Sequence, residues 1–61
     1  MNIEKKVSSF IAKEKAVFLS DIAREFGITV YTAHDLVKSL EKEGLVEIVN
    51  KGVAKLVKIK D

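Results

Sequence analysis

The chain has 61 residues, 48% of them hydrophobic, and carries 11 basic and 9 acidic side chains for a net charge of +2. That length allows one small domain near the lower limit for folding without a staple, and the lack of cysteine beside a single histidine, His34, excludes a disulfide and the usual zinc ligand sets. A net charge this small does not by itself argue for nucleic acid, and no run approaches the roughly 20 apolar residues of a membrane span.

In chain order, Asn2 is placed to cap a first helix in which Ile3, Val7, Phe10 and Ile11 recur at helical spacing, and the pattern fades near Lys13 to Lys15. Ala16 to Leu19 is a short apolar run suited to one bridging strand. Ser20 is then read as the cap of a second helix of about two turns, with Asp21 in its first turn and Ile22, Ala23 and Phe26 turned inward. Gly27 ends that helix, and Gly27-Ile28-Thr29 forms a turn from which Thr29 caps a third helix over Val30 to Glu43. Its apolar stripe is Ala33, Val37 and Leu40, helped by Leu36, and Gly44 stops it. Two strands follow, Leu45 to Val49 and Val53 to Lys60, joined by Asn50-Lys51-Gly52 as a three-residue loop with glycine third. On that register Val49 faces Val53 and Glu47 faces Lys55.

Charge is unevenly placed. Residues 1–43 hold seven basic and seven acidic side chains, whereas residues 44–61 hold Lys51, Lys55, Lys58 and Lys60 against Glu47 and Asp61. All the excess positive charge therefore lies in the hairpin segment. No nucleophile has a base in register, and there is no glycine-rich phosphate loop, so the residues predict a binding protein and not an enzyme, with no cofactor and no metal. The start of the chain lacks the continuous apolar stretch and cleavage site of a signal peptide, which predicts a cytoplasmic protein without a membrane segment. Absent glutamine, asparagine only at 2 and 50, and abundant Lys, Glu, Ile and Val give the lean of heat-adapted proteins.

Two helices joined by a short glycine-containing turn form a helix-turn-helix unit. With a helix before it and a hairpin after it, the stretches "FLSDIAREFGIT" and "TAHDLVKSLEKEGLVEIV" resemble the winged helix-turn-helix family. The resemblance spans nearly all of residues 1–61 as one domain and implies an α+β fold of three helices with a C-terminal two-stranded β-hairpin wing. It also implies a function: a DNA-binding transcriptional regulator whose third helix reads bases in the major groove. Carried over by position, the reading face is Val30, Tyr31, His34, Asp35 and Lys38. Thr29 and Thr32 lie near phosphate, and Asn50, Lys51 and Lys55 are the wing contacts. The chain departs from many sequence-reading members in having one arginine, Arg24, outside that face.

With so few strong base readers, double-stranded DNA would be bound by a homodimer. Pairing would hide surplus apolar surface such as Val17, Phe18, Val49 or Val53 and place two third helices about one duplex turn apart. Two other readings stand beside this one. "TAHDLVKSLEKEGLVEIVNK" is also similar to the winged-helix body of a small-subunit ribosomal protein family of archaea and eukaryotes, which implies RNA. The charge-neutral helices with Val30, Tyr31 and an apolar wing tip also fit a protein-interaction module.

Overall fold

A computed structural model describes residues 3–60. The elements run α1 (Ile3–Glu14), β1 (Ala16–Phe18), α2 (Leu19–Phe26), α3 (Val30–Lys42), β2 (Val46–Lys51) and β3 (Ala54–Ile59). Three helices pack on one face of a small antiparallel sheet of order β1-β3-β2. The expected cap Asn2 lies outside the described residues. No helix among those residues is long and apolar enough to cross a membrane.

The core is where the helical and strand periodicities converge. Val7 and Ile11 of α1, Ile22 and Ala23 of α2, Ala33, Val37 and Leu40 of α3, and Val46 and Val57 of the hairpin are buried together. Phe10 and Phe26 close one edge as a T-shaped ring pair with centroids 5.8 Å apart, an arrangement that aligns ring edge to ring face. Strand alternation sends Val17 inward, opposite Val57, while Ala16 and Phe18 point out. Val17 is therefore core, and not the free surface expected for pairing.

The start of α2 also differs from expectation. Leu19 is the first residue of the helix, Phe18 is its cap residue, and Ser20 lies within the first turn. The backbone N–H of Phe18 donates to Asp21 Oδ2 at 3.2 Å, so Asp21 supplies the reach-back contact of a capping box and no serine cap is needed. The end of α2 is as expected. Gly27 takes φ 63°, ψ 38°, and the Ile28 N–H donates to the Ala23 carbonyl at 3.0 Å, closing the helix by a left-handed turn that costs a glycine little.

The hairpin corrects a second expectation. β2 continues through Lys51 and β3 begins at Ala54, so the loop is Gly52-Val53 and not Asn50-Lys51-Gly52. Gly52 has φ 65°, and Val53 is not among the positive-φ residues, which is the pattern of a two-residue loop that matches the twist of its strands. Val49 then pairs with Leu56 in place of Val53, and Glu47 with Lys58 in place of Lys55. An odd shift of this kind moves the β3 side chains to the opposite face relative to β2.

Candidate nucleic-acid interface

The start of α3 is organised by two threonines. Thr29 is extended at φ −73°, ψ 158°, and its Oγ1 accepts from the Thr32 backbone N–H at 3.1 Å, the capping bond its sequence position predicts. The Thr29 hydroxyl in turn donates to Thr32 Oγ1 at 3.0 Å. Thr32 thus accepts inside the turn and keeps its own O–H to donate outward. The N–H groups of Val30 and Tyr31 have no acceptor within the helix, as at any helix start, and the helix dipole makes this end favourable to an anion.

Ala33, Val37 and Leu40 are buried, so the opposite side of α3 is its outward ridge. At spacings of four, seven and eleven from Tyr31, the ridge consists of Tyr31, Asp35, Lys38 and Lys42, all exposed. Tyr31 is 84% exposed. Lys38 Nζ donates to Glu41 Oε1 at 3.3 Å; exposed pairs of this kind contribute about 0.2–1 kcal/mol, which a phosphate can readily outcompete. His34 is half-buried on the flank of the ridge. Lys42 was not among the sequence candidates, although three helical turns of spacing from Tyr31 would have found it.

The three wing candidates do not share a face. Asn50 and Lys55 pair across the hairpin on the side that Ile48 and Val57 turn toward the helices. Lys51 pairs with Ala54 on the outer side, with Val49 and Leu56. Lys55 lines a shallow recess of about 280 Å³ together with Ser20, Val30 and Val53. The starts of α2 and α3 and the tip of the wing therefore surround one concavity, and the fully exposed Val53 forms its rim. Arg24 lies elsewhere, 3.6 Å from Asp21, in a recess with Phe10 and Glu14.

Among the described residues, no group of three or more His, Asp or Glu side chains is placed to hold a metal ion. The arrangement offers instead a convex ridge, a helix start with outward donors, and a lysine-bearing hairpin beside it.

Comparisons with known proteins agree with this architecture. The family model described as the MarR family matches residues 9–58. Among solved structures, the chain is similar to the crystal structure of the AntR antimony-specific transcriptional repressor, with a TM-score of 0.78 at 14% identity, over 90% of this chain and 50% of that one. The chain thus spans about half the length of that repressor. No curated protein matches it. At this identity the likeness is one of fold, and the fold is the winged helix-turn-helix with a β-hairpin wing.

Proposed function

The chain belongs to the MarR family, and on that premise we propose that it is a DNA-binding transcriptional regulator, not an enzyme, acting in the cytoplasm as a homodimer on double-stranded DNA. The observation that carries the reading is the common recess. It sets Val30 at the start of α3 beside Val53 and Lys55 of the wing, so a duplex lying on one meets the other. In this arrangement α3 presents Val30, Tyr31, His34 and Lys38 to base edges. Thr29 and Thr32 bring the helix start to a phosphate, and Asn50, Lys51 and Lys55 follow the adjacent backbone.

Pairing is supported by the outer face of the sheet. Phe18, Leu56 and Val49 stand directly opposite one another across the three strands as an apolar row on the side away from the buried Val17, Val46 and Val57, with Phe18 at its end also bordering the recess of Val30. A second copy is the occupant we assign to it.

Titration of a fluorescent duplex by anisotropy tests the DNA reading. Affinity should fall linearly on logarithmic axes as salt rises, because each neutralised phosphate releases counterions. No complex at low salt and high micromolar protein overturns it. Light scattering tests pairing separately: a mass equal to one 6.8 kDa copy, at concentrations that bind DNA, overturns the homodimer.

A further inference from the structure

Strong base discrimination in the major groove comes from bidentate donors, Arg or Lys to guanine and Asn or Gln to adenine. The sequence of α3, VYTAHDLVKSLEK, contains no Arg, Asn or Gln. Lys38, the lysine nearest the helix start, lies about two turns in from it. The N-terminal half, which in this motif approaches base edges, instead exposes Val30 at 47% and Tyr31 at 84%, with Asp35 one turn along the same ridge. Apolar groups in a major groove have one natural counterpart, the C5-methyl of thymine, while a carboxylate accepts from an exocyclic amino group and is repelled by the acceptor edge of guanine.

We propose that the outward start of α3 is a methyl reader. Val30 and Tyr31 rest on thymine C5-methyl groups, and Asp35 accepts from the amino group of an adenine or cytosine. Tyr31 and Asp35 lie about 6 Å apart along the helix axis, close to two base-pair steps, so the methyl and the amino group belong to nearby pairs and not to the same one. Val53, on the rim of the recess that Val30 lines, extends the apolar contact toward the wing. The selected duplex class is therefore thymine-bearing sequence, chosen by shape and methyl contact without guanine-directed forks. This inference rests on the DNA reading above and names what the same surface prefers.

The experiment selects duplexes from a random pool with the wild-type protein, then resynthesises the best one with uracil in place of thymine. Removing a contacted methyl should weaken binding about fourfold per methyl, from the usual value of one buried carbon. Replacing the same A·T pair by G·5-methylcytosine should keep more affinity than replacing it by G·C. Tyr31→Ala, an exposed position whose truncation should leave the melting curve in place, should bring the thymine-to-uracil ratio toward one, whereas Lys42→Ala should leave that ratio intact. Equal binding of the thymine and uracil duplexes by the wild type overturns the methyl reader alone, as does an undiminished ratio in Tyr31→Ala. Recovery of no duplex from the pool overturns the DNA reading itself.

Discussion

The helical body and the hairpin wing of this chain divide two tasks. Up to residue 43 basic and acidic side chains balance, and the inward positions of all three helices are sealed, with Val7, Ile11, Ile22, Ala33 and Val37 free of solvent. Beyond Val46 and Val57 the strands leave the core. Their inward pair becomes Asn50 and Lys55, their tip is exposed, and the excess lysines are concentrated there. Cohesion thus resides in the body and long-range attraction in the wing, so a substitution in one should leave the other's property nearly unchanged.

The largest effect expected is in the body. Ile22→Ala empties a fully buried site in the core cluster, and deletions of this kind cost about 2–5 kcal/mol. Small domains hold roughly 5–15 kcal/mol in total, so the urea midpoint should fall sharply. A midpoint shift equivalent to less than about 1 kcal/mol would mean that the body is not where cohesion resides. In the wing, Lys51→Ala combined with Lys55→Ala should lower duplex affinity and flatten the slope of log affinity against log salt by about 2. The same double variant should melt within about 0.5 kcal/mol of wild type, as exposed substitutions do; a loss of stability as large as that of Ile22→Ala would break the division.

The body was far more legible in the sequence than the wing, for a physical reason. Helical burial repeats over several turns, so Val7 with Ile11, and Ala33 with Val37 and Leu40, each state the same face more than once. The caps at Thr29 and Gly27 sit where the helical pattern starts and stops, and their residue types are the ones those positions favour. The hairpin register rests on one loop, and Asn50-Lys51-Gly52 and Gly52-Val53 are both acceptable turns. The choice was made by Val46 and Val57 having to reach the helices together. Ser20 misled for a related reason: it has the right side chain for a cap, but Leu19 is buried as a helical residue and Asp21 serves the preceding N–H. Within the candidate interface, the α3 positions came from the family resemblance, carried over by position. The common recess of Val30 with Val53 and Lys55 depends on how the wing folds back, which no local pattern encodes.

Thr29 belongs to both halves of the comparison and should show a smaller, double effect. Thr29→Ala removes the acceptor for the Thr32 N–H and should cost about 1 kcal/mol of stability. It also releases the Thr32 hydroxyl from its partner, so duplex affinity should fall beyond what the altered stability explains. Thr29→Ser keeps the acceptor and should restore both. Loss of stability in Thr29→Ala with duplex affinity unchanged would separate the cap from phosphate binding and place Thr29 in the body alone.

The smallest expected change is at the junction where body meets sheet. Lys15 ends α1 with φ 74°, the one positive-φ non-glycine among the described residues. Its N–H donates to the Ile11 carbonyl at 2.7 Å, and its carbonyl accepts from the Ile59 N–H at 3.0 Å, tying the helix end to β3. A left-handed residue with a Cβ costs about 1–2 kcal/mol, and glycine removes that strain while adding about 0.5–1 kcal/mol of unfolded-state freedom. Lys15→Gly should therefore stabilise the chain by roughly 0–1.5 kcal/mol on these opposing terms. Lys15→Val, branched at Cβ, should destabilise it. Because both backbone bonds remain in the glycine variant, duplex affinity and its salt slope should change by no more than one exposed lysine accounts for. A glycine variant less stable than wild type would show that the Lys15 side chain, not its backbone, holds the body to the sheet.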